Sequence, residues 1–184
     1  LIAFDSTEIS DIISNKISGS AWQANLKLFN ANTTGIAIDN KLYVYPVSQS
    51  WGNGTGKSDN SPEVVNGASW SWRNYQGGTL WTASSFTAYT TASYQASNPG
   101  GGTWYTASIS GSLEVTQSFD TTSTKDLNIN VTTIKNHWNS GSIQNNGFII
   151  KWGSTIEFNA SSSVEPHINY FSSDTHTNYA FYRT

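Results

Sequence analysis

The chain has no cysteine, no methionine and four prolines, and only 11% of its 184 residues are charged, where about a quarter is typical. Without cysteine, disulfides and thiol chemistry are excluded, and the redox compartment cannot be read. Nine Lys and Arg against twelve Asp and Glu leave a net charge of −3 and a pI near 5.5. No cluster forms the basic stripe that phosphate binding needs, so nucleic acid is not an expected partner. No apolar run approaches the roughly 18 residues of a membrane span, so membrane insertion is not expected either. The chain opens "LIAFD" without an initiator Met. That start reads as a processed or partial piece of a longer protein, with any targeting segment lost.

Serine, threonine, asparagine and glycine make up 83 residues. These are turn, loop and strand-edge residues, and poor helix interiors. Aromatics, at 14%, replace Leu and Met as core material and bury enough area to offset chain entropy. The length suits one domain. The expectation is a single module over residues 1–184, all-β, a jelly-roll-like β-sandwich with one or two short helices.

Strand signals come as short alternating segments between turns. "SAWQANLKLFNA" places Trp22, Ala24, Leu26 and Leu28 on one face. "GSLEVTQSFD" places Leu113, Val115 and Phe119 inward, and "KLYVYPVSQSW" is a continuous apolar run suited to a strand covered on both sides. "GFIIKWG", "STIEFNA" and "HINYFSS" complete the series, with turns at Gly153 and residues 160–163. A sandwich or jelly roll uses strands of this spacing. One helix is expected at "STEISDIISNKI", with Ile9, Ile12, Ile13 and Ile17 at helical spacing behind Ser6 or Thr7 as cap. A second is expected at "NVTTIKNHWNSG", with Val131, Ile134 and Trp138 on one face, Asn130 as N-cap and Gly141 past the end. Both are short enough to depend on packing.

Residues 50–105 differ in kind. Five of the eight tryptophans fall there, on a backbone of Gly, Asn and Ser. Short strands are expected at Ala68–Trp72 and Thr103–Ile109, because a structureless loop of this length is unusual. Packing is the ordinary fate of a tryptophan, and Trp22, Trp51, Trp70, Trp138 and Trp152 are assigned to it. Trp72, Tyr75, Trp81 and Trp104 are the exposed candidates for ligand or partner contact.

Catalytic and metal signals are weak. His137, His167 and His176 have no ligand spacing. Asp174 and His176 fall at i, i+2, where a hydrogen-bonded turn is the simpler account than a triad in so serine-rich a chain. Glu63, Glu114, Glu157, Glu165 and Asp174 are the carboxylates a glycoside hydrolase would draw on, and no spacing pairs them. Neither "GNGTG" nor "GGG" leads convincingly into a helix, as a phosphate loop does, so turns are the expectation for both. No cofactor is expected. A structural calcium ion is the exception the composition leaves room for, with Asp5, Asp59 and Asp120 as loop candidates. Asn32, Asn53, Asn130 and Asn159 each begin an N-x-S/T triplet, informative only in a secreted eukaryotic protein.

Several separated stretches together resemble one module, the DNRLRE (disaggregatase-related) domain. "LIAFDSTEIS", "ANLKLFNA", "KLYVYPVSQSW", "NGASWSWRN", Trp81 and "PGGGTW" are similar to its successive parts. "DLNINVTTIKNHWNSGSIQNNGFIIKW" resembles its best signature: a strand, a short helix ending in Trp, then "NNGF" before a buried strand. The chain departs at "NYAFYRT", which lacks the family's usual proline. The resemblance implies a jelly-roll-like module of secreted and surface proteins. Variants with the "SWGNGTG", "GASW" and "YFSSDTHT" wording look like structural proteins of large tailed phages. No catalytic signature carries over. The leading expectation is a non-enzymatic virion module in a tail fibre, baseplate or capsid decoration, packing against copies of itself or other virion proteins. The runner-up is a carbohydrate-binding or adhesive module facing surface glycans, and a hydrolase is a distant third. The expected location is the virion, the cell surface or the extracellular space. On either leading reading, Trp51 and Trp70 seal loops onto the core while Trp72, Trp81 or Trp104 faces the partner.

Overall fold

In a computed structural model of the chain, residues 1–17, 21–34, 39–56, 61–62, 64–83, 88–94, 100–120, 122, 125–157 and 167–171 are described. The fold class is all-β, as expected: short strands in several small antiparallel sheets, with a few short helical segments. The described residues divide into two compact units.

One unit comprises Gly19–Val44, Val115–Thr132 and Ile150–Thr184, and it is built by alternation. Strands β1 (Asn25–Leu28) and β10 (Leu127–Asn130) pair antiparallel, with Leu26 opposite Ile129 and Leu28 opposite Leu127. Leu26, Leu127 and Ile129 are buried, while Asn25, Lys27, Asn128 and Asn130 point to solvent. The period of two in the sequence therefore becomes an inside and an outside. Strand β9 (Val115–Phe119) pairs with β3 (Asn40–Pro46), and β11 (Phe148–Trp152) lies on the other side of β3. Over Asn40–Val44 central β3 alternates, with Leu42 and Val44 buried, Lys41 exposed and Tyr43 half-buried, so here the apolar run does not give the expected strand covered on both faces. Gln117 ties β9 to β10, accepting from Asn128 N–H at 2.8 Å and donating to the Asp126 carbonyl at 2.9 Å. Strands β2 (Asn30–Thr34) and β12 (His167–Tyr170) form a further pair. "STIEFNA" does not form the expected strand where it is described. Ser154–Glu157 is a single helical turn, α3, closed by Ile156 N–H on the Gly153 carbonyl. Residues 158–166, including the expected turn at 160–163, lie outside the described residues.

The other unit comprises Leu1–Ser18, Tyr45–Glu114 and Thr133–Ile149. Helix α1 (Ser6–Asp11) runs into a π-helical turn, Ile12–Lys16. Its cap is Asp5 rather than Ser6 or Thr7: the carboxylate accepts from Thr7 N–H at 2.7 Å. That backbone bond, with help from the Thr7 hydroxyl and Glu8 N–H, holds the Asp5 carboxyl below the usual aspartate range. The second helix, α2 (Thr132–Asn139), lies where the sequence places it. Asn130 accepts from Thr132 N–H at 2.9 Å, Ile134 and Trp138 are buried, and Gly141 ends the helix at φ +71°. A side chain at that left-handed position would be strained. Strands β6 (Tyr89–Ser93), β7 (Thr103–Ser108) and β8 (Gly111–Ser112) form a three-stranded sheet, and β4 (Trp72–Asn74) and β5 (Thr79–Leu80) a small hairpin. The strand expected at Ala68–Trp72 thus begins only at its last residue.

Candidate functional site: the aromatic loops 50–83 and their glycine bed

The segment from Ser50 to Ala83 contains little ladder. It is folded instead by side chains reaching backbone. Asn66 accepts from Thr55 N–H at 2.9 Å and donates to the Thr55 hydroxyl at 2.9 Å. Asn74 accepts from Gly77 N–H at 2.9 Å, and Arg73 donates to the carbonyl and hydroxyl of Ser50 at 2.8 and 3.1 Å. Backbone bonds from Gly52 N–H to Arg73 O and from Ala68 N–H to Gly52 O cross-link the loop's ends. Short polar side chains imitate turn geometry in this way, and among the described residues they fix turns that no periodicity announces.

The tryptophans are then placed one by one. Trp51 is half-buried and donates its ring N–H to the Asn146 carbonyl at 2.8 Å. Trp81 is 2% exposed, and its ring N–H meets the Ser69 carbonyl at 3.0 Å. Trp104, on β7, is 5% exposed between the rings of Tyr45 (5.8 Å) and Tyr94 (5.1 Å, edge-on). Two of the four expected contact residues, Trp81 and Trp104, are therefore core. Their burial follows from partners the sequence does not show: a loop carbonyl for one, a neighbouring strand for the other. Trp72 is half-buried and Tyr75 is half-exposed, their rings edge-to-face at 5.9 Å.

Trp70, assigned by sequence to packing, is the most exposed of the described tryptophans at 51%. The expectation is a short strand over Ala68–Trp72 that carries both Trp70 and Trp72. Instead Ser69 makes a turn across them, its N–H on the Trp72 carbonyl and its hydroxyl accepting from Trp72 N–H. Trp70 is turned away onto Gly100 and Gly101. A Cβ on Gly100 would come within 2.9 Å of Trp70 Cε2, and one on Gly101 within 2.6 Å of Cζ3. Gly101 also donates its N–H to the Trp70 carbonyl at 2.6 Å and holds φ +69°. Gly100 and Gly101 of the "GGG" are thus a bed for an indole ring, while Gly102 faces Ile149. Tyr94 lies against the same ring at 5.1 Å and 32°, so the rings run Trp70, Tyr94, Trp104, Tyr45 from surface to core.

Two clefts open on these loops. One, of about 400 Å³, is lined by Trp51, Trp70, Trp81 and Tyr94 with Asn53 and Ser69. The other, of about 540 Å³, is lined by Val64, Val65 and Tyr75, again with Asn53 and Ser69. Val65 is 62% exposed. Trp70, Tyr94, Val64 and Val65 are the residues the sequence reading passes over. Gly100 and Gly101 are the signal that could have pointed to Trp70, since a Cβ on either would strike the indole.

The chemical candidates take structural roles where they are described. Glu114 accepts from the Tyr45 hydroxyl at 2.6 Å, and His137 Nδ1 lies 3.1 Å from the Tyr89 hydroxyl. Burial, with Tyr89 alongside, raises the Tyr105 hydroxyl pKa. Glu63, Glu165, Asp174 and His176 lie outside the described residues, as does the Glu157 side chain. Of the calcium candidates, Asp5 caps a helix, Asp120 accepts from Thr122, and Asp59 lies outside the described residues. Among the described residues no group of three or more His, Asp or Glu gathers to hold a metal, and no helix is long and apolar enough to cross a membrane. No protein-family model, curated protein or solved structure matches the chain.

Proposed function

We propose that the chain is a non-enzymatic structural module of a virion, in a tail fibre, baseplate or capsid decoration, that works by packing against copies of itself or neighbouring virion proteins. The observation that carries this reading is the cleft in which Val64, Val65 and Tyr75 stand 40%, 62% and 51% exposed on ordered loops. Single exposed apolar residues are ordinary, whereas a cluster with polar neighbours is the usual make-up of a contact surface. The resemblance of residues 126–152 to the DNRLRE signature supports the jelly-roll-like class and the extracellular or particle setting. Sedimentation of the purified chain across a concentration range, beside Val65→Asp, tests it. The proposal expects concentration-dependent association that Val65→Asp weakens at least tenfold with unchanged circular dichroism. A chain that stays monomeric, or associates regardless of Val65, contradicts it.

A second reading, a carbohydrate-binding or adhesive module, is favoured by one observation: the exposed ring of Trp70 in a cleft whose described lining also carries Trp51, Trp81, Tyr94, Asn53 and Ser69.

A further inference from the structure

The geometry points to the Trp70 cleft as a subsite for neutral pyranose rings, and to Trp70 itself as the stacking platform. This inference rests on the carbohydrate-binding reading and names its residues and ligand class. Sugar rings have a C–H face that is apolar and an edge of hydroxyls that both donate and accept. The cleft offers a counterpart to each. The Trp70 ring supplies apolar area, and Asn53 and Ser69 carry groups that can hydrogen-bond hydroxyls. Its volume of about 400 Å³ falls near the lower end of small-ligand sites, roughly 300–1,000 Å³, which suits a short oligosaccharide.

Three features make this a built platform rather than a stray surface ring. The bed of Gly100 and Gly101 and the neighbouring Tyr94 fix the indole before any ligand arrives, which lowers the ordering cost of binding. The ring N–H groups of Trp51 and Trp81 are already bonded to backbone carbonyls, so those rings line the cleft without an unsatisfied donor. Among the described residues the lining side chains are uncharged, that of Leu1 included, and they match a neutral ring. An aromatic cage for a quaternary ammonium would need several ring faces turned inward. Here Trp81 is 2% exposed and lies in the lining as floor, leaving Trp70 as a single broad platform, the arrangement that fits a flat ring.

Affinity electrophoresis of the chain in gels containing glucomannan, xyloglucan, a β-1,3-glucan or galactan tests the inference, with alginate as the charged control and choline titration alongside. The expected result is retardation by at least one neutral glycan, weakened tenfold or more by Trp70→Ala and left unchanged by Ile109→Ser, at an exposed position that lines neither cleft. Gly100→Ala keeps an ordinary backbone conformation but places a methyl where the indole lies. It is expected to weaken binding several-fold in a protein whose circular dichroism is native. Glycan binding that Trp70→Ala leaves intact overturns the site while the carbohydrate reading stands. No retardation in any neutral gel overturns both. Preference for alginate or choline overturns the ligand class.

Discussion

Two regions bury their apolar side chains by different means. In the paired strands β1–β10 and β3–β9, position along the strand decides the outcome: Leu26, Leu42, Val44, Phe119, Leu127 and Ile129 are inside because every second residue is. In the described loops from Ser50 to Ala83 no period exists, and three of the four tryptophans are placed by a particular tie. Trp51 and Trp81 are held through the ring N–H, and Trp70 by a bed of glycine. A ladder tolerates exchange among apolar residues of similar volume. A tie of this kind demands an indole with its donor at the right corner. The comparison teaches that a glycine- and serine-rich segment can be as specified as a sheet, with the specification residing in single contacts.

The comparison can be broken at its strongest point by removing one core ring from each region. Trp81→Ala and Phe119→Ala, 2% and 1% exposed, should each cost about 3–5 kcal/mol in urea unfolding. A loss below about 1 kcal/mol for Trp81→Ala would show the loops to be unspecified after all. The ladder unit has its own weak point at high pH. Burial, with the Asp126 carboxylate near it, pushes the Tyr170 hydroxyl well above the usual tyrosine range. Its neutral form is therefore favoured in the folded state. The stability this contributes is fully present below about pH 10, the unfolded value, and is lost as pH rises toward the raised one. Tyr170→Phe, at a buried hydroxyl with no partner among the described residues, should flatten that alkaline loss in denaturation curves taken from pH 9 to 11.

Smaller changes sharpen the contrast. Gly101→Ala both strains a left-handed residue and strikes Trp70 and Tyr94, and should cost about 1–3 kcal/mol. Trp51→Phe keeps most of the area but drops the bond to Asn146, for about 1 kcal/mol, where a Leu127→Ile swap in the ladder should show no such donor dependence. Trp70→Ala should cost the least, under about 1 kcal/mol, because half of the ring is already in solvent. A loss of several kcal/mol there would return Trp70 to the core role that its sequence context suggests.

What the sequence makes legible follows the same division. Strands β3, β11 and β12, helix α2 with Asn130 and Gly141, and the inward faces of β1 and β9 are readable from local pattern, because period and capping are local physics, whereas β10 is too short to carry a period of its own. The tryptophans are not. Trp81 and Trp104 look exposed from their loop-like neighbours and are core, while Trp70 looks like packing and is exposed. Their fates depend on Ser69, Gly100, Gly101 and Tyr45, contacts set by how the loops fold back. Helix α1 shows the same effect on a smaller scale. Its isoleucine spacing is plain, but the cap moves one residue to Asp5, whose carboxylate reaches Thr7 N–H across the start of the helix.

The central claim is that the aromatic loops sort their tryptophans into a buried floor and an exposed platform. The most direct test is 19F NMR of the 5-fluorotryptophan-labelled chain with a soluble paramagnetic probe, the resonances assigned by single Trp→Phe variants. The account predicts strong broadening of the Trp70 signal, intermediate broadening for Trp51 and Trp72, and signals from Trp81 and Trp104 left sharp. Sharp Trp70 beside broadened Trp81 or Trp104 would contradict it, and with it the placement of any ligand or partner on the Trp70 face.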